Sequence, residues 1–308
     1  MMLTYAFACI VSGPALGETF PSRAITVIVP TTPGSGTDIG TRLIADHMSK
    51  TLGQPVVIEN VGGAIGIVGT RRCADATADG YTICATNYGQ IVLAPFDYKA
   101  RGEKLGYEVS SLRPVARTLL FDFVLVAHKN VGATLPEVLA YARAHNGLTV
   151  GNGGTTGEYA TKLLRGLQAT KVVFVPYRGD PLAMADVLNG SINAAFMTAT
   201  VALPHLKSDI VRVVGTVGRK KSALLQTVPT LYEQGCLACG DLDSWGGMFA
   251  PNGVPEDRMR ILSRAVLAAL HDPGVIEKLE KAKLTAYPAA PDVFANVIKH
   301  NIAEAQKR

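Results

Sequence analysis

Two stretches of this chain share one local pattern, and that pattern restricts the fold more than any other feature. "IVPTTPGSGTDIGTRLIADHM" (28–48) and "LTVGNGGTTGEYATKLLRGL" (148–167) each run a short strand into a glycine turn and then into a helix. Residues 25–29 are β-branched throughout, as strands buried on both faces of a parallel sheet tend to be. After the first turn, Ile39, Leu43, Ile44, Met48 and Leu52 follow helical spacing, with Asp38 expected as the N-cap. The alternation continues along the chain. Strands are predicted at 56–60, 81–85, 121–127, 172–175, 192–197, 211–217 and 245–250. Helices are predicted at 66–76, 135–145, 181–188, 255–271, 274–283 and 291–306, while 99–111 reads as polar and irregular. Repeated strand–helix units imply sheets covered by helices on both faces, with ligands beyond the carboxyl ends of the strands. Two such turns about 120 residues apart then suggest one in each of two lobes, facing across a cleft.

The chemistry of the turns narrows what they hold. Free N–H groups and the positive end of a helix dipole form an anion site. A phosphate-binding P-loop needs Lys-Ser/Thr at the close of its glycine turn, and none is present. A dinucleotide fingerprint needs a third glycine where Ile39 stands. No lysine or arginine lies between Pro30 and Thr41, so recognition here falls to neutral donors.

A chain of 308 residues can hold two domains with substantial cores, and 48% apolar with 18% charged residues suits a globular α/β protein. The net charge of +5 is dispersed, and the clusters Arg71-Arg72 and Arg219-Lys220-Lys221 read as solvated faces, so no nucleic-acid partner is expected. None of the six histidines has metal-ligand spacing, and there is no G-x-S-x-G elbow or other nucleophile–base motif. An enzyme is therefore not expected. Residues 1–17 read as an export signal, with the apolar run "LTYAFACIVSGPAL" followed by Ala15-Leu16-Gly17 as the cleavage site. The mature chain is expected to be soluble and periplasmic. Cys73 and Cys84 read as packing residues. Cys236 and Cys239 form a lone C-x-x-C, open to a local disulfide or to idle thiols.

Several longer segments carry a resemblance. "FPSRAITVIVP" (20–30), "GTDIGTRLIADHMSKTLGQPVVIEN" (36–60), "ADGYTI" (78–83), "VPYRGDPLAMADVLNGSINAAF" (175–196), "VPTLYEQG" (228–235) and "SWGGMFAPNGVPED" (244–257) resemble the Bug/TctC family, the extracytoplasmic substrate-binding proteins of tripartite tricarboxylate transporters. The resemblance implies an α/β, type II periplasmic-binding-protein fold, with two lobes of mixed, mostly parallel sheets around a central cleft. It implies lobe 1 from 20–120 plus 247–308, lobe 2 from 121–246, and a monomer without catalysis or cofactors. Its ligand is a small organic acid, and its partner a membrane permease or, alternatively, a sensor receptor.

Position by position, the family's first loop corresponds to Thr32, Pro33, Gly34, Ser35, Gly36, Thr37 and Asp38. Its second corresponds to Gly153, Gly154, Thr155, Thr156 and Gly157, with Tyr159 where histidine is common. Asn87 and Gln90 follow the third strand, and Tyr177, Arg178, Asn193 and Thr198 are implied to line the second lobe. Arg178 is open to two readings, a cleft cation or a partner of Asp180. Tyr159 is likewise a stacking partner or helix packing, and Trp245 is expected to anchor the junction of the lobes. The chain departs from the family in four places: Thr32-Pro33-Gly34-Ser35 replaces Pro-Pro-Gly-Gly, Val61-Gly62-Gly63 replaces Arg-Pro-Gly, Asn193 stands where many members have aspartate, and 98–111 carries extra positions and several charges.

Overall fold

The computed structural model describes residues 19–167, 171–222, 224–241 and 244–306. The expected export signal lies outside the described residues. The first three strand–helix units are β1 (Ile25–Val29), α1 (Gly36–Leu52), β2 (Val56–Asn60), α2 (Ile67–Ala74), β3 (Thr82–Asn87) and α3 (Ala94–Ala100). The chain crosses over through β4 (Leu112–Leu120) and β5 (Phe123–His128). A second series follows: α4 (Leu135–Ala144), β6 (Leu148–Asn152), α5 (Thr155–Gly166), β7 (Val172–Pro176), α6 (Asp180–Leu188), β8 (Ala194–Thr198), α7 (Ala199–Ala202) and β9 (Val211–Thr216). Return is through β10 (Trp245–Pro251), and α8 (Glu256–His271), α9 (Pro273–Lys281), β11 (Thr285–Ala289) and α10 (Pro291–Ala305) complete the described chain.

The strands form two sheets, in the orders β11-β4-β10-β3-β1-β2 and β7-β6-β8-β5-β9. Parallel pairing is confined to β2–β1–β3 and β7–β6–β8, the trios that carry the glycine turns. Strands adjoining the crossover and the return pair antiparallel. Both parallel trios lie on the far side of their sheets from the crossings, which leaves their carboxyl ends facing each other.

The sequence reading contains no element over β4, α3 or β11. In β4, Arg113, Pro114 and Arg117 interrupt the apolar alternation on which that reading depended. The two arginines are accommodated by partners distant in sequence: Arg113 pairs with Glu256 at 2.5 Å, and Arg117 lies 3.6 Å from the Tyr287 ring centroid. Trp245, where the chain returns, is fully buried. Its ring meets Tyr88 and Phe294 edge-on, and its indole N–H donates to Asn301 Oδ1 at 2.8 Å.

All four cysteines of the described residues are buried in disulfides, Cys73–Cys84 and Cys236–Cys239. The first corrects the expectation that Cys73 and Cys84 only pack. Helix α2 lies on β3, and this brings the two sulfurs together in a way that spacing alone did not reveal. Closing a loop of separation 11, this disulfide is expected to contribute roughly 2–3 kcal/mol. Replacing both Cys73 and Cys84 by alanine should lower the midpoint of chemical denaturation accordingly. Replacing Cys236 and Cys239, separated by only 3, should cost distinctly less.

Candidate ligand-binding site

The first glycine turn is built around its own side chains. Ser35, in extended conformation (φ −69°, ψ 159°), is the N-cap of α1, and its Oγ accepts the Asp38 N–H at 3.2 Å. Its hydroxyl also pairs with Thr31 at 2.6 Å, so it is engaged within the turn rather than presented to a ligand. Asp38 is corrected from N-cap to the third helical residue. Its carboxylate accepts the Gly34 N–H and the Asn60 amide, each at 2.9 Å, and pairs with Arg42 at 2.9 Å. Burial would raise its pKa, but the Arg42 guanidinium, the Gly34 N–H and the Asn60 amide outweigh that and hold it below the ordinary value. A carboxylate so occupied is not a ligand acceptor. Among the described residues, the N–H groups of Gly36 and Thr37 have no protein acceptor.

The second turn depends on a buried acid. Asp180, the first residue of α6, accepts the Thr198 N–H at 2.9 Å, the Thr198 hydroxyl at 3.0 Å and the Gly153 N–H. Burial pushes its carboxyl upward in pKa, while these three donors act in the other direction. Gly154 is the N-cap of α5, and its N–H donates to Asn152 Oδ1 at 2.7 Å. Gly157 packs directly over the Asn152 side chain, and Thr156 is buried beside it. The Thr156 N–H has no acceptor among the described residues. The Thr155 side chain lies outside the described residues.

The first turn meets the second lobe through closely approaching glycines. A Cβ on Gly179 would stand 2.0 Å from Thr32 Oγ1, and one on Gly36 would stand 3.0 Å from Thr198 Oγ1. Thr32 and Gly36 of the first lobe are thereby brought against Gly179 and Thr198 of the second. Thr32 Oγ1 and Asn152 Nδ2 are buried with no protein partner. Alongside this seam, α3 and α5 exchange charges: Asp97 pairs with Lys162, Arg101 lies 3.4 Å from Glu158, and Lys162 lies 3.5 Å from Glu158. On another side, the Thr200 hydroxyl donates to the Lys283 carbonyl at 3.2 Å. The lobes are closed on each other.

Other expected site residues are held elsewhere. Asn193 precedes β8 while Thr198 ends it, so the two are roughly 16 Å apart. Asn193 joins Thr149 and faces the opposite end of the sheet from the cleft. Gln90 is buried, its amide N–H donating to the Ile65 carbonyl at 2.9 Å and its Oε1 facing the Thr86 hydroxyl, so it supports a loop. Asn87 caps the turn after β3 through the Gly89 N–H. The Tyr177 hydroxyl donates to Asp186 at 2.6 Å, and burial together with that carboxylate pushes its pKa up to about 12. Tyr159 lines a groove with Leu93, Phe96 and Ala305, which is a packing role. Arg178 is exposed, and Asp180 bonds to Thr198 and Gly153 instead of to it. Three residues that shape the two turns, Asp180, Asn152 and Asn60, are not among the expected site residues. Asn152 and Asn60 each end a parallel strand at the cleft, and that position is the signal that could have found them.

Two outcomes follow from these contacts. Because Asp38 titrates below its unfolded value, its contribution is full above about pH 4 and lost as pH falls through the folded pKa. Asp38→Asn should therefore lower stability at pH 7 and flatten the acid limb of a pH–stability curve. The α3–α5 bridge is only partly exposed, with Asp97 and Glu158 side chains 17% and 12% accessible, so its loss should be visible. Replacing Arg101 and Lys162 by glutamine should enlarge the radius of gyration of the unliganded protein in small-angle scattering. About 0.5 M NaCl should do the same for the unaltered chain. An unchanged radius in both cases means that the bridge does not hold the lobes.

The comparisons agree with this architecture. The profile of the Tripartite tricarboxylate transporter family receptor matches residues 40–307. The UPF0065 protein in the TAR-I ttuE-ttuC' intergenic region of Agrobacterium vitis is 31% identical, over 90% of this chain and 79% of that one. MatC (Rpa3494) from Rhodopseudomonas palustris, solved with bound malate, is 30% identical with a TM-score of 0.85, covering 94% of this chain and 99% of that one. Rpa4515 of R. palustris, solved with adipate, is 26% identical with a TM-score of 0.84, covering 94% and 96%. No helix among the described residues is long and apolar enough to cross a membrane. The chain belongs to the tripartite tricarboxylate transporter receptor family, the Bug/TctC proteins, whose members are substrate receptors and not enzymes.

Proposed function

We propose that this chain captures a small organic anion, a di- or tricarboxylate or an aromatic acid, between its lobes in the periplasm. It then delivers that anion, as a monomer, to the permease of a tripartite tricarboxylate transporter. In this reading one lobe comprises 20–120 plus 247–308 and the other 121–246. The observation that carries it is the set of donors without protein acceptors at the seam: the N–H groups of Gly36, Thr37 and Thr156, beside the unpartnered Asn152 amide. Two helix starts present them from opposite sides, which suits an anion. Malate and adipate in two relatives support a carboxylate. Asp38 and Asp180 beside the seam are each bonded to donors of their own lobe, and burial holds the Asp180 carboxyl above its ordinary range, toward its neutral form, so neither opposes an anion as a free carboxylate. Neutral donors and bridging water also allow release, which a delivery protein requires.

A thermal-shift panel of mono-, di- and tricarboxylates tests the proposal. A ligand at 100 times its Kd should add about 2.7 kcal/mol of stability. Gly36→Val should abolish that shift while the lobes stay folded, because its side chain would meet Thr198 as the lobes close. No shift with any acid, or an unaltered shift in Gly36→Val, contradicts the assignment.

A further inference from the structure

The loop after β2 holds the most strained backbone near the seam. Ala64 (φ 44°) and Ile65 (φ 58°, ψ 37°) both occupy the left-handed region. For a β-branched residue that conformation is a genuine outlier, and such strain persists only where the surroundings impose it. Here they do. The buried Gln90 donates its amide N–H to the Ile65 carbonyl at 2.9 Å. At the adjacent Gly66 (φ 92°), any Cβ would stand 2.5 Å from the same Gln90 nitrogen and 3.2 Å from the Pro30 carbonyl, so the loop is clamped against the start of the first glycine turn. The effect is to hold an isoleucine side chain in the wall of a cavity of about 350 Å3 between the lobes. Ala64, Ile65 and Ile67 line it from the first lobe, and Phe174 and Pro176 from the second, with Arg101 and Glu158 among its other walls. On the second-lobe side the cavity adjoins the proposed site: Pro176 is three residues from Gly179, and the Glu158 N–H bonds to the Gly154 carbonyl at the opening of α5. On the first-lobe side Gly66, next to Ile65, packs against the Pro30 carbonyl just ahead of the first turn.

We propose that Ile65 is a specificity-determining residue that selects organic acids with an unsubstituted aliphatic or aromatic body over compact hydroxylated ones. The inference rests on the anion-capture reading given above and adds the ligand's second half. The acid group lies at the facing turns, and its apolar body lies against Ile65, Phe174 and Pro176. The cavity's charged walls, Asp97, Arg101 and Glu158, are already paired with one another and with Lys162. A hydroxylated chain placed against Ile65, Phe174 and Pro176 would lose water without gaining hydrogen-bond partners from these three side chains. Glycine at position 65 would free the backbone and remove the wall. The strained isoleucine is therefore the less stable choice for the loop, and the wall accounts for it.

Calorimetry with adipate, benzoate and malate tests this on the full mature chain and on the variants Ile65→Gly and Ile65→Val. The unaltered protein should bind adipate or benzoate more tightly than malate. Ile65→Gly should fold with an equal or higher Tm, since glycine adopts this φ freely. It should weaken the preferred acid roughly ten- to a hundredfold while malate changes less than about threefold. Ile65→Val, which keeps a branched aliphatic wall, should retain most of the preference. A preference for malate in the unaltered chain, or equal changes for all three acids in Ile65→Gly, overturns the role of Ile65 while leaving anion capture standing. If none of the three acids binds the unaltered chain but another acid of the wider panel does, Ile65 selectivity falls alone. If no acid of that panel binds, both readings fall.

Discussion

Asp180 occupies the point at which three elements of the second lobe must agree. Its carboxylate is the first residue of α6, the acceptor for the end of β8 through both donors of Thr198, and the acceptor for the Gly153 N–H at the close of β6. Removing that carboxylate would leave three buried donors unpaired at once, and each such group costs about 1–3 kcal/mol. The closeness of the two lobes depends on this arrangement. Gly179 can approach Thr32, and Thr198 can approach Gly36, only while the strand end and the helix start are held in register.

The first lobe solves the same problem with Asp38. There the carboxylate binds the Gly34 N–H, the Asn60 amide and Arg42, again uniting a glycine turn, a neighbouring strand end and a helix. Each lobe therefore has a buried aspartate beside its turn, and each aspartate is matched by donors of its own lobe. The electrostatic consequence is specific. Negative charge lies close to the seam but is compensated locally, and the helix-start N–H groups not engaged by these acids remain directed outward. A second consequence concerns Ser35 and Tyr177, whose hydroxyls also serve their own lobes. The polar groups that shape the turns are different from those that are left for a ligand.

That division explains how far the sequence could be read. The strand–turn–helix alternation was legible because burial on both faces imposes β-branched runs, and the two glycine turns stood out within it. Gly36, Thr37 and Thr156 were singled out because they sit at helix starts in those units, and Thr198 because it ends a strand. Asn193 was misplaced because residue type was weighed without strand direction, and it stands at the amino end of β8. Gln90 was misassigned because a buried amide can hold a loop as readily as a ligand, and only the Ile65 carbonyl shows which. Asp180 was read merely as a partner for Arg178, since nothing local in "YRGDP" reveals that the carboxylate turns inward to Thr198. The Cys73–Cys84 link depends on α2 packing over β3, a tertiary fact that spacing does not encode.

The charged segment at 98–111 and Val61-Gly62-Gly63, two of the places where the chain departs from its family's pattern, both face the other lobe. Arg101, near the start of that segment, reaches Glu158 of the other lobe, while a Cβ on Gly62 would stand 3.6 Å from the Arg178 carbonyl. Both contacts cross between lobes, and neither belongs to the glycine turns themselves. These two departures therefore bear on how the lobes meet, whereas another, Thr32-Pro33-Gly34-Ser35, lies in the first turn itself. A partly buried ion bridge contributes to the closed form independently of the ligand's identity, whereas an apolar wall contributes only when a matching body is present. With neutral donors at the turns, the discrimination between acids proposed above rests on the wall at Ile65 and not on the turns.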